Sequence, residues 1–450
     1  MTSLPRYKTF NRAQKETISV PAIGKRNFLF LQGMASLFFV NLGKALLLRG
    51  HGVYRINFNG GDRLFWSLPN AADFRGHPDE WRNYFHEQVS TRNVTDIILF
   101  GDCRALHRQA ISIAQQLQIA VHVCEEGYIR PHWVTFERDG VNGHSQLSRN
   151  PDWFLDTSAQ MPPLPPPQAM RSSFARRAWE DFIYNAAVGA LWLRFPHYRT
   201  HRPRNRMVEY ASWSRKVALR PWTSLRTRAQ AALLTEQTRF FLLPLQLDGD
   251  SQIRQHSRFG GMRPAIAQII ESFAAAAPAD TVLVVKEHPL DDGLVCWRKL
   301  VMRLAAAAGL GDRVVYLESG DLDWLVGHAT GLVTVNSTTG TLALEKDIPV
   351  ATLGLAIYDI AGLTHQGPLD TFWTAPSPPD RLLYQAFCRV LISRCLLPGS
   401  FFSQQGIKML VDEAVCRLEA DGPRHPAIRT AGVEALPSVP GSLPSALPAS

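Results

Sequence analysis

Three short stretches gather side chains able to hold an anionic group or move a proton. CEEGY (124–128) sets two adjacent carboxylates, Glu125 and Glu126, before a glycine at the exit of an apolar run. Neighbours on an extended backbone point to opposite faces, so one of the two should enter a cleft, and the sequence does not say which. A carboxylate there can serve as general base on an acceptor hydroxyl or as nucleophile on an anomeric carbon. A solvated acidic turn is the plainer alternative. KEHP (286–289) follows the run TVLVVK; Pro289 holds the preceding backbone extended and directs His288 toward the cleft as a donor to phosphate. VNSTTGTLALE (335–345) reads as a strand running directly into a helix. Ser337, Thr338 and Thr339 supply N-cap hydroxyls there, and Gly340 leaves room for close approach of a ligand. Together with the positive end of the helix dipole these suit a phosphate, with ordinary capping as the alternative. Glu345, about two turns in, is placed to reach a ribose hydroxyl.

Weaker candidates flank these. Asp102 in GDC (101–103) is another acid at a strand end. QGMASLFF (32–39) turns from a first strand into a helix and would put Gly33 and Ser36 on the acceptor side. It lacks a G-x-G-x-x-G fingerprint, which argues against a dinucleotide cofactor. PLQLDGDSQIRQHS (244–257) is a polar run suited to a loop over a donor, with Gln246, Asp250, Ser251, Gln252 and His256 as its candidates.

The elements that must carry these residues alternate between short apolar runs and amphipathic stretches. Strands are expected at 27–32, 51–58, 96–100 and 119–123, and again at 239–246, 281–286, 314–318, 331–336 and 349–354, with helices between. Such alternation argues parallel, helix-covered sheets. The expected organisation is α/β, with two Rossmann-like domains facing a cleft at the carboxyl ends of their strands. The first, on the acceptor side, spans 1–160, and the second, carrying the phosphate-type motifs, spans 239–420. Between them, 161–238 holds the Pro-rich MPPLPPPQAM and a basic helical insertion; the Pro, Ser and Ala-rich tail 421–450 is expected to be disordered.

Composition narrows the partners. Of 450 residues 46% are hydrophobic and 19% charged, a balance that excludes a disordered chain. The formal net charge of +9 calls for an acidic partner: a nucleotide, an anionic lipid surface or nucleic acid. Much of the excess falls in 171–228, away from the three motifs, a stretch rich in Arg and Trp (Arg171, Arg176, Arg177, Trp179, Trp192, Arg194, Arg199, Arg202, Arg204 and Arg206). That placement disfavours nucleic acid and favours an anionic lipid, with a solvated insertion as the alternative. Six cysteines without a C-x-x-C pair predict neither a zinc site nor a disulfide framework, hence a reduced, cytoplasmic protein. The first 16 residues carry no signal-type apolar run, and Gln32, Asn41 and Lys44 interrupt the most apolar window, Leu29–Leu48. No transmembrane segment is expected.

EEG, HP and a Ser/Thr pair, in that order, resemble the motifs of bacterial sialyltransferases that use CMP-sugars. QGMASLFF, PLQLDGDSQIRQHS, KEHP and VNSTTG more closely resemble the capsule polysaccharide biosynthesis family, KpsS/LipB type, over about 27–375. The resemblance implies a GT-B fold and a retaining β-Kdo transferase. Such an enzyme uses CMP-Kdo to place the first Kdo of a poly-Kdo linker on a (lyso)phosphatidylglycerol-type lipid, peripheral to the inner membrane. It implies no metal and no cofactor, and as partners a second Kdo transferase and the capsule export complex. Glu125 or Glu126 would then be the catalytic carboxylate, and His288, Ser337 and Thr338 would hold the CMP phosphate. Alternatives are a sialyltransferase, a glycerophosphotransferase using CDP-glycerol, and a non-catalytic scaffold that docks on the export complex.

Overall fold

The computed structural model describes residues 24–163, 173–200, 206–232, 234–235 and 237–421. The expectations for the N-terminal 16 residues, most of the Pro-rich connector and the tail after 421 lie outside the described residues. The first unit contributes β1 (Asn27–Phe30), β2 (Gly52–Asn57), β3 (Ala71–Asp73), β4 (Asp96–Phe100), β5 (Ala120–Glu126) and β6 (Trp133–Arg138). The second contributes β7 (Phe240–Pro244), β8 (Val282–Lys286), β9 (Val314–Leu317), β10 (Gly331–Thr334) and β11 (Val350–Thr352). A last strand, β12 (Leu396–Pro398), pairs antiparallel with β6 and so returns to the first sheet.

The sheet orders are β12-β6-β5-β4-β1-β2-β3 and β11-β10-β7-β8-β9. In both, the chain starts in the middle, winds outward to one side, then crosses to the other. The crossing points lie between β1 and β4 and between β7 and β10, and ligands of doubly wound sheets bind at such points. NFLF, DIILF and FFLLP are nearly unbroken apolar runs because both faces of a central parallel strand are covered. Accordingly Ile97, Ile98, Leu99, Leu242 and Leu243 are fully buried.

Three expectations need correction. The first sheet is mixed, since β6 and β12 join it antiparallel at one edge. The span 239–420 is not one domain: the helix Gln404–Asp421 packs on the helix Phe38–Leu48 through Leu410, Ala414 and Leu418. The insertion does not stand away from the motifs. Its helix Phe174–Ala190 lies on the first unit, where the Tyr184 hydroxyl donates to Asp62 (3.0 Å) and accepts from the Asn59 and Gln32 amides. Its helix Arg206–Ala231 lies on the second, where Lys216 pairs with Glu287 at 2.7 Å. The insertion therefore contacts both units.

Candidate active site

β5 runs on through both glutamates of CEEGY rather than ending before them, because β6 continues the pairing: Glu125 faces Thr135 and Glu126 faces Val134. The alternation of the strand then separates their fates. Glu126 forms ion pairs with Arg130 (2.9 Å) and with Arg177 of the insertion (2.6 Å). Glu125 turns to the other side, where the Asn142 amide donates to it at 2.8 Å. Burial, reinforced by the nearby Asp102 and Asp250 carboxyls, pushes Glu125 up to about 8; Asn142 and Arg104 act the other way. A carboxyl held that high is mostly protonated at neutral pH, and its ionised form is a far stronger base than a solvated glutamate.

Beside it stands Asp102, one residue beyond the turn after β4. Asp102 accepts from the Val141 amide (3.1 Å) and from Nδ1 of His144 (3.0 Å). His256 reaches in from the second unit: its Nε2 lies 3.2 Å from the Cys103 Sγ, and its ring meets that of His144 edge-on. No local spacing marks Cys103 and His144, which the sequence reading missed, because they and His256 come together from three separate loops.

KEHP supplies a compact positive centre. Lys286 is buried at the end of β8, and burial together with Lys216 lowers its affinity for a proton. His288 is lowered to about 4 by burial and by the Lys286, Arg130 and Lys216 cations, with Glu126 opposing. It is therefore neutral at pH 7. Its Nδ1 accepts from the Leu290 amide at 3.1 Å, which leaves the proton on Nε2, free in direction to donate to an anion. That Arg130 and Glu126 act on His288 places the EEG and HP segments within electrostatic reach across the cleft. Pro289 itself is exposed.

The Ser/Thr segment follows β10, at the crossing point of the second sheet. Only one hydroxyl caps: Ser337 Oγ accepts from the Thr339 amide at 3.1 Å, and Thr338 makes no side-chain cap. Thr339 Oγ1 accepts from Ser337 Oγ at 3.1 Å. Gly340 is not left open for a ligand. A Cβ there would lie 2.1 Å from the Tyr358 hydroxyl, which donates to the Ser337 carbonyl. Gly340→Ala is expected to cost about 1–3 kcal/mol as overpacking, read as a lower thermal midpoint. Thr341, further along, bonds the Tyr128 carbonyl of the first unit at 3.0 Å.

Several weaker candidates have structural work instead. Ser36 is buried and donates to the Phe401 carbonyl at 2.7 Å, so it anchors the returning C-terminal segment and does not line an acceptor side. Gly33 is buried beneath the Phe39 ring, and its carbonyl accepts from Arg104. Gln246 is buried and spends its amide on Asn336, donating to Oδ1 and accepting from the backbone N–H, both at 3.1 Å. Glu345 is exposed at the far end of a seven-residue helix, and its carbonyl faces Arg381. It is not gathered with Ser337. Asp250 opens the helix Ser251–Gln255 and acts electrostatically on Glu125; the side chains of Ser251 and Gln252 lie outside the described residues.

Two Rossmann-like units meeting at their crossing points, with the chain's end returning to the first, define a GT-B-like protein. The chain belongs to the capsule polysaccharide biosynthesis protein family, whose model matches residues 95–402. It is 33% identical over 391 residues to the capsule polysaccharide modification protein LipB of Neisseria meningitidis serogroup A, covering 84% of this chain and 92% of that one. It is 33% identical over 393 residues to the capsule polysaccharide export protein KpsS of Escherichia coli, covering 86% of this chain and 100% of that one. A solved structure of Thermosulfurimonas dismutans KpsC, a β-Kdo 2,7 transferase, is similar with a TM-score of 0.43 at 13% identity, over 86% of this chain and 100% of that one.

Proposed function

We propose that the chain transfers Kdo from CMP-Kdo to a (lyso)phosphatidylglycerol-type lipid, the start of the poly-Kdo linker of a capsular polysaccharide. The observation that supports the reading is one strand end with two faces: Glu125, a proton-binding carboxyl at about 8, on one side of β5, and Glu126 on the other, within electrostatic reach of the cation-ringed neutral His288. His288 Nε2, with Lys286, offers donors to the single phosphate of CMP as it departs and gains charge. A β-linked donor giving a β-linked product means retention, hence two displacements: ionised Glu125 attacks the anomeric carbon as its bond to the CMP phosphate breaks, and the acceptor hydroxyl then displaces Glu125, its proton passing to solvent. Ser337 and Thr339 stand at the second unit's crossing point, where a nucleotide phosphate is expected.

Among the described residues no helix is long and apolar enough to cross a membrane. The insertion instead exposes large apolar side chains, Trp179, Phe182, Trp192 and Leu193, with Trp179 and Phe182 stacked at 5.8 Å. Aromatic rings beside arginines suit an anionic bilayer interface, which is where a lipid acceptor would be met. The double variant Trp179→Ser/Phe182→Ser is expected to bind phosphatidylglycerol vesicles about tenfold more weakly in co-sedimentation. Unchanged binding would remove the insertion from the membrane account.

Incubation with CMP-Kdo, CMP-sialic acid and CDP-glycerol in parallel tests the donor. Release of CMP from CMP-Kdo alone is expected, whereas turnover of CDP-glycerol or CMP-sialic acid in its place would overturn the assignment. An inert chain whose His288→Ala variant still supports capsule assembly would favour a scaffold.

A further inference from the structure

We infer that Asp102, Cys103, His144 and His256 form a structural zinc site that ties the second Rossmann-like unit to the first at the floor of the cleft. One donor atom from each lies within 4.8 Å of all the others. Tetrahedral zinc, with bonds of about 2.0–2.3 Å, separates its ligand atoms by roughly 3.3–3.8 Å, so closure needs shifts of about 1 Å. The set is chemically apt. One thiolate, one carboxylate and two neutral imidazoles together offset the charge of Zn²⁺, and borderline-soft N and S donors select it over magnesium or calcium.

A second observation points the same way. The His256 side chain is 1% exposed, and its Nε2, the nitrogen that faces the cluster, meets only the Cys103 Sγ, at 3.2 Å. A buried imidazole is seldom left so poorly satisfied by protein alone. The absence of a C-x-x-C pair does not speak against this site, because the ligands come from the turn after β4, the turn at Asn142–His144 and the segment after Ser251–Gln255. Four protein ligands close the shell, so the ion would brace the cleft without entering the chemistry. On binding, the Cys103 thiol proton passes to solvent. The site touches the Kdo-transfer reading only through Asp102: an ion on that carboxylate would lower the proton affinity of Glu125, so an alkaline limb in the pH profile of transfer belongs to the zinc-free chain.

The test uses zinc alone, with no nucleotide present. Full-length protein stripped with a chelator is titrated with zinc against a chromophoric competitor, and one ion per chain is expected. His144 is half exposed, so His144→Ala should fold, and it is expected to weaken binding about tenfold or more. Cobalt substitution should give a thiolate-to-metal absorption that Cys103→Ser abolishes and that Cys296→Ser/Cys416→Ser, at exposed cysteines, retains. No stoichiometric zinc, or binding unchanged in His144→Ala, or a thiolate band that follows the exposed cysteines, overturns the site.

Discussion

Glu125→Gln is expected to lower kcat/KM for sugar transfer by about 10⁴-fold or more, since an amide cannot serve as the nucleophile. The amide preserves shape and can still meet Asn142, so the loss reads the carboxylate and not the packing. The pH profile gives the sharper signature. With Glu125 held at about 8, the parent's kcat/KM should climb about tenfold per pH unit through neutrality and level off above that value. The variant should lose this limb. Stability should move oppositely. Because the folded state holds the proton more tightly than the unfolded chain, whose glutamate titrates near the ordinary 4.5, ionising Glu125 opposes folding. Its contribution is therefore fully present below 4.5 and lost as pH rises to about 8. Melting curves should show Glu125→Gln gaining on the parent across that window. Glu126→Gln is expected to behave differently: it frees Arg130 and Arg177 from their ion pairs, changes activity less than tenfold and keeps the alkaline limb.

His288→Ala carries the second large effect. Removing one donor aimed at charge that develops on a leaving group costs about 10²–10³-fold in kcat. CMP should also bind more weakly, by about tenfold or more, since the lost bond is to a charged acceptor. His288→Gln keeps an N–H at similar reach and should recover part of both. The parent's histidine is lowered to about 4, so it stays neutral through the working range and adds no limb of its own to the profile above pH 5. Calorimetry with CMP checks the binding loss, and single-turnover release of CMP checks the chemical step. Parental values in both would remove His288 from the phosphate site.

The sequence carried the two-sheet plan well where apolar runs exceed four residues and both faces of a strand are buried. DIILF and VLVVK are the clearest cases. It concealed β6, which alternates polar and apolar residues as WVTFER, and β12, a three-residue strand whose partner lies far back in the chain. No local pattern announces such a return. The site was legible in part. EEG carried its pair of carboxylates openly, but only the β5–β6 register separates a paired Glu126 from an enclosed Glu125. Gly340 and Gln246 looked like ligand-facing residues because glycine and glutamine serve packing and function alike, and tertiary contacts alone decide between these. Asp102 stood out as a strand-end acid, while Cys103, His144 and His256 become neighbours only when two units close on one another.

The most direct test is to incubate the full-length chain with radiolabelled CMP-Kdo and lysophosphatidylglycerol, and to weigh the lipid product. The expected result is one Kdo per lipid, in a β linkage, with one CMP released for each. A lipid unchanged in mass while CMP-sialic acid or CDP-glycerol is consumed under the same conditions would contradict the account.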